Sequence, residues 1–115
     1  MNLEAYLHAL RALAFITRFR ILNLLHQKNQ PLSQQQLVDI LEVSKSNISR
    51  HAKILKNANL IIQWKNGKHI YHALDPNLKP KRIINIIKEF QGNPKLKRDI
   101  KNLKDGNVKR IQPRN

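Results

Sequence analysis

The chain has no cysteine among its 115 residues. Disulfides, thiolate metal sites and thiol redox switches are therefore excluded together. Acidic side chains are scarce, 7 against 22 Lys and Arg, for a formal charge of +15. The carboxylates are scattered, and the 3 glycines form no phosphate-cradling loop. With no nucleophile elbow either, no catalytic constellation can be assembled, and the expectation is a protein that is not an enzyme. No uninterrupted apolar run approaches the roughly 18 residues a membrane span needs. Met1-Asn2-Leu3-Glu4 lacks the basic start and apolar core of a secretory signal, so a cytoplasmic location is expected.

What the chain has in excess is positive charge. Such a surface repels its own copies and favours a polyanion. Nucleic acid and an anionic membrane both qualify, but residues 94–115 hold no aromatic side chain for an interfacial anchor, which ranks the membrane last. The charge is uneven. Residues 1–78 carry 10 basic and 4 acidic side chains, whereas residues 79–115 carry 12 and 3.

Hydrophobic spacing divides the chain into short elements. Leu3, Leu7, Leu10 and Ala14, with Leu13, recur at helical spacing and give a first amphipathic helix. Ile21, Leu22, Leu24 and Leu25 mark a second, with Thr17 as its expected N-cap. Lys28-Asn29-Gln30-Pro31 reads as a loop. Ser33 caps a short helix carrying Leu37, Ile40 and Leu41. After the tight Glu42-Val43 connection, Ser44 caps another that runs to about Lys56. The period then changes. Leu60–Trp64 and His69–Ala73 read as strands, and the Asn66-Gly67 between them predicts a hairpin with both turn positions at positive φ. Ile83, Ile84, Ile86, Ile87 and Phe90 form one more apolar helix, stopped at Gly92-Asn93-Pro94, and Leu96, Ile100 and Leu103 a last, weaker one.

Two short capped helices, a tight turn and a basic hairpin make a winged helix-turn-helix. The fold class expected is mainly α with a small β-hairpin wing. On the helix from Lys45 to Lys56, Ile48, Ala52 and Leu55 fall on one side, and Ser46, Ser49, Arg50 and Lys53 on the other. The outer face thus offers small hydroxyls that let a helix sit deep in a major groove, and an arginine able to pair bidentately with guanine. Lys65, Asn66 and Lys68 sit at the wing tip, within reach of backbone phosphates or the adjacent minor groove. Gln35, Lys45, Asn47 and His51 complete the expected DNA-contacting set. Taken singly, each feature has a plainer reading, a solvated polar helix face or a solvated turn; it is their order along the chain that points to DNA.

Leu10-Arg11-Ala12-Leu13-Ala14 followed by Thr17-Arg18-Phe19-Arg20-Ile21-Leu22, and Val43-Ser44-Lys45-Ser46-Asn47-Ile48-Ser49-Arg50-His51-Ala52-Lys53-Ile54-Leu55, resemble the opening and the recognition helix of the arsenic-repressor (ArsR/SmtB) family of bacterial regulators. Ala58-Asn59-Leu60-Ile61 stands where that family steps into its wing, and the resemblance spans roughly residues 4 to 75. It implies a homodimer formed by the first and last helices, with Leu3, Leu7, Leu10, Ala14, Ile83, Ile87 and Phe90 at the interface. Exposed aliphatic faces at both ends of the chain argue for pairing independently, with a completed monomer core as the alternative.

The chain departs from the family in two places. Phe15-Ile16 replaces the family's break before Thr-Arg, which leaves the first helix boundary open. The stretches where relatives hold metals are also bare: Pro31 to Leu41 has neither Cys nor His, and Lys81 to Phe90 offers only Glu89. His69 and His72, three apart in a strand, point to opposite faces. No metal and no cofactor is expected.

The expectation is a sequence-specific, dimeric transcriptional repressor that binds double-stranded DNA at an inverted repeat. The alternative is an architectural nucleic-acid-binding protein of low specificity, at the nucleoid. Residues 1–92 are expected to form the winged domain with its dimerisation helices. Residues 93–115 are expected to form a basic extension that touches phosphates or merely solubilises.

Overall fold

The computed structural model describes residues 2–77 and 81–105. Helix α1 spans Leu3–Leu13 and is capped by Asn2, whose Oδ1 accepts from the Ala5 N–H at 2.8 Å. Ala9, Ala12 and Leu13 face inward, whereas Leu3 and Leu7 stay exposed. Helix α2, Ile16–Lys28, follows after a sharp break. Its N-cap is Phe15, in extended conformation and without a side-chain cap hydrogen bond, so Thr17 lies inside the first turn and is not the cap expected. Tertiary contact of the Phe15 ring, described below, stands where a polar cap would. Ile21, Leu22, Leu24 and Leu25 on α2 are at most 1% exposed, making this helix the centre of the core. It ends at Asn29 in the left-handed region, φ 53°, a role asparagine fills at low cost.

Strand β1, Leu32–Ser33, leads directly into helix α3, Gln34–Leu41. Ser33 and Gln36 form a reciprocal capping box: the Gln36 N–H donates to Ser33 Oγ at 3.1 Å, and the Ser33 N–H donates to Gln36 Oε1 at 2.7 Å. Glu42, at φ 58°, ends α3 and turns the chain. Ser44 Oγ then accepts from the Asn47 N–H at 3.3 Å and opens helix α4, Lys45–Asn57. Ile48, Ala52 and Leu55 of α4 are fully buried against Leu37 and Ile40 of α3 and the rest of the core. These caps are the local reason that two short helices form here at all; their apolar faces supply the rest.

Strands β2, Ile61–Asn66, and β3, His69–Leu74, make the wing hairpin, and β1 adds to the free edge of β3 to give the order β1-β3-β2. The register pairs Asn66 with His69, so the two turn residues are Gly67 and Lys68 rather than Asn66 and Gly67. Only Gly67 has positive φ, 65°. Glycine alone at the first turn position is the signature of a type II′ hairpin, whose twist suits the flanking strands; the expected pair of positive-φ residues is not used. The strand β1 was not expected, because two residues carry no period.

Helix α5, Lys81–Glu89, buries Ile83 and Ile87 completely. Helix α6, Pro94–Lys104, starts with Pro94 in its first turn under an Asn93 cap, whose Oδ1 accepts from Lys95 at 2.9 Å. The first part of the basic extension expected from residue 93 is thus this helix, packed against the domain. Leu96 and Asp99 of α6 are buried, and the helix packs along α2 and touches α3. The remainder of that extension, residues 106–115, lies outside the described residues.

Candidate nucleic-acid interface

Helix α4 presents two faces because its apolar residues fall on one side. With Ile48, Ala52 and Leu55 held in the core, Lys45, Ser46, Ser49, Arg50 and Lys53 are all exposed, and no acidic side chain lies among them. Asn47 is half-buried, and its backbone N–H is engaged by the Ser44 cap. The remaining first-turn N–H groups of α4 carry the positive end of the helix dipole, which suits a phosphate.

His51 is not on that outer face. It is 5% exposed and turned toward the break between α1 and α2. Its ring stacks on Phe15, centroids 4.8 Å apart at 27°. Arg18 Nη1 lies 3.1 Å from its Nδ1. Arginine is always a cationic donor, so this nitrogen accepts and the imidazole is neutral with its proton on Nε2. Burial, then the charges of Arg18 and Arg50, hold the His51 pKa below the ordinary histidine range. Arg18 also donates through Nε to the Ala12 carbonyl of α1, and its guanidinium carbon sits 4.9 Å from the Phe15 ring centre. The expected DNA contact is therefore an anchor: it ties α4 to the end of α1. The spacing Ile48, His51, Ala52, Leu55 carries this signal in the sequence, since all four share the inner face.

The wing supplies the second part of the surface. Lys65, Asn66 and Lys68 are exposed at its tip. Trp64 and Tyr71, directly paired across the strands, stack at 5.9 Å and stiffen the hairpin. A cleft of about 180 Å³ is lined by Gln34 and Gln35 of α3, Lys45 of α4, and Lys68, His69 and Ile70 of the wing. It brings together three site residues expected from the sequence, Gln35, Lys45 and Lys68, that come from separate elements. Gln35 is exposed, and its Nε2 donates to Asp39 at 3.1 Å. Gln34, His69 and Ile70 were missed, since the approach of the wing to α3 is set by the β1–β3 pairing and no local pattern encodes it.

At the base of the wing, His72 is fully buried, with Gln63 Nε2 at 3.2 Å from its Nδ1 and no partner for Nε2. Burial pushes its pKa down to about 4. Among the described residues, no group of three or more His, Asp or Glu is arranged to hold a metal ion, and no helix is long and apolar enough to cross a membrane.

The residues expected at a dimer interface divide. Leu3 is 69% and Phe90 53% exposed; Leu7 and Ala14 are exposed, and Leu10 is half-buried. Ile83 and Ile87 are 0% exposed and belong to the core of the single chain, which removes them from the expected interface. Their i, i+4 spacing is the spacing of a core-facing stripe, and α5 turns it onto α2. Phe15 and Ile16, not assigned to the interface from the sequence, are exposed large apolar side chains at the α1–α2 break.

Residues 17–63 match the model of the bacterial regulatory protein, arsR family. Solved structures share the fold. HlyU from Vibrio cholerae superposes with a TM-score of 0.67 at 24% identity, over 76% of this chain and 92% of that one. The transcriptional repressor PagR of Bacillus anthracis gives 0.62 at 28% identity, over 76% and 93%. The homodimeric winged helix-turn-helix DNA-binding domain Mb0332 from Mycobacterium bovis gives 0.62 at 19% identity, over 77% of each chain. No curated protein sequence matches. The segment from Thr17 to Gln63, set in the fold just described, is similar to the arsR-family model, and the chain has the winged helix-turn-helix fold of these solved structures.

Proposed function

We propose that the protein is a dimeric repressor that reads an inverted-repeat operator and blocks transcription by occupying it. The single observation that carries this reading is the outer face of α4. Ser46, Ser49, Arg50 and Lys53 are exposed together without an acid, on a helix whose inner face is locked by Ile48, Ala52 and Leu55. Such a face fits a major groove, with Arg50 directed to a guanine edge and Lys45, Lys53, Lys65, Asn66, Lys68 and Gln35 to the backbone or the flanking groove. Leu3, Leu7, Leu10, Ala14 and Phe90, with Phe15 and Ile16, provide the apolar surface for a second copy. A homodimeric neighbour of the same fold and a neighbour that is a repressor support this reading.

The reading includes no metal, cofactor or thiol as signal, and it places the protein in the cytoplasm at the nucleoid. The basic segment after α5 adds affinity through phosphates and carries no base preference. Selection of bound sequences from a random DNA pool at about 150 mM salt, where counterion-driven binding is weakened, tests the proposal. Enrichment of an inverted repeat is the expected result. A pool that stays random, with binding that vanishes as salt rises, would assign the chain to architectural nucleic-acid binding.

A further inference from the structure

The C-terminal carbonyls of a helix need partners from outside it. At the end of α3 those partners come from α2 and α6. Arg20 on α2 is 6% exposed, and its Nη2 donates to the Leu41 carbonyl at 2.8 Å. The same guanidinium forms a two-pronged pair with Asp99 of α6: Nε donates to Oδ2 and Nη2 to Oδ1, both at 2.9 Å. Asp99 is itself fully buried. One turn further along α6, Asn102 Nδ2 donates to the Ile40 carbonyl at 2.9 Å. Ile40 and Leu41 are the last core residues before Glu42, whose left-handed backbone sets the direction of α4.

We propose that Asp99 is a positioning residue for DNA recognition: by orienting Arg20, it fixes the end of α3 and hence the angle at which α4 meets DNA. This rests on the function proposed above. The chemistry has three parts. A cation at the negative end of the α3 dipole is favourable, but burying the Arg20 guanidinium without a counter-ion carries a large desolvation cost. Asp99 supplies that counter-ion and also dictates the plane of the guanidinium, since a bidentate pair allows one orientation. With the plane fixed, the remaining proton of Nη2 points at Leu41. Asn102 then holds the adjacent carbonyl, so that α6 grips the helix-turn-helix directly and through Arg20. An outer helix whose sequence reads as a basic tail thus sets the geometry of the element that reads bases.

The full chain is compared with Asp99→Asn and Asp99→Glu on two DNA probes, the sequence recovered by selection and an unrelated duplex of equal length, while amide exchange is followed at Glu42, Val43 and Ser44. For Asp99→Asn, the expected results are faster exchange at those amides and about a tenfold loss of affinity for the selected sequence, with the unrelated duplex bound as before. Asp99→Glu, which keeps the counter-charge, recovers part of the loss. Equal affinity of Asp99→Asn and wild type for the selected sequence overturns the positioning role, as does a parallel loss on both probes. If Asp99→Asn does not fold, Asn102→Ala, which removes only the bond to Ile40, is expected to show the same pattern at smaller amplitude; unchanged exchange and affinity there overturns the proposal. A wild type that selects no sequence defeats the proposed function instead, and exchange in the variants then tests the grip on the turn by itself.

Discussion

Arg18 donates toward Nδ1 of His51 at 3.1 Å, so that a cation at the α1–α2 break holds the inner face of α4. His51→Ala removes the acceptor and the ring stacked on Phe15. The expected loss is about 1–3 kcal/mol of folding stability, measured by denaturant unfolding. Base preference in a selection experiment should stay that of the wild type. A change at one base position would return His51 to the DNA surface.

Arg50 and Lys68 separate the two kinds of contact. Arg50→Ala is expected to lose about 1–3 kcal/mol on the selected site and to relax one base position. Lys68→Ala, at the wing tip, should weaken all duplexes alike and lower the salt slope by about 1. Titrations against single-base variants of the operator at several salt concentrations give both quantities. Equal weakening of all sequences by Arg50→Ala would make Arg50 a phosphate contact.

His72 makes stability depend on pH. Its folded pKa of about 4 lies below that of an exposed histidine, so the unfolded chain binds the proton more readily. The contribution is whole above about pH 6.5 and is lost as pH falls toward 4, by about 3 kcal/mol in all. Burial lowers the His26 and His51 pKa values as well, so these residues act in the same direction. The test is therefore the difference between wild type and His72→Leu in unfolding free energy against pH. The variant should show the shallower fall between pH 6.5 and 4. Parallel curves would mean that His72 does not stay neutral in the fold.

Leu7 tests the proposed dimer. A charge in the middle of an apolar contact leaves it desolvated and unpaired. Leu7→Lys should shift the protein to a monomer in sedimentation velocity at concentrations where the wild type is a dimer. The thermal midpoint of the monomer should change little, because Leu7 is already exposed within one chain. An unchanged sedimentation coefficient would move the interface away from α1.

The helix-turn-helix was legible because its determinants are local. Ser33 with Gln36 and Ser44 with Asn47 cap within a few residues, and Ile48, Ala52 and Leu55 repeat at the helical period. The hairpin was legible as well, but its turn residues were not, since they follow from the pairing of Asn66 with His69 across the strands. Helix α6 was least legible. Its lysines and arginines dominate its composition, and Asp99 reads as a stray acid opposing them. Yet Leu96, Asp99 and Asn102 or Leu103 stand at helical spacing, and only the partner Arg20, far away in the chain, reveals what that face does. Ile83 and Ile87 show the converse: an apolar stripe signals burial, and sequence alone does not say whether the covering surface belongs to the same chain.

Ser33 belongs to two structures at once. It pairs with Tyr71 in the sheet and caps α3 through Gln36. The wing and the helix-turn-helix are thus the two jaws of one caliper, tied at Ser33, by the neighbouring Leu32–His72 pair and by the packing of β2 and β3 on α2, α3 and α4. Within the chain, its gape is set by these contacts. A duplex whose grooves already match that opening is bound without deformation, whereas one that must be squeezed or widened takes the cost on itself. Base pairs that no side chain touches would then contribute to the choice of operator through their stiffness.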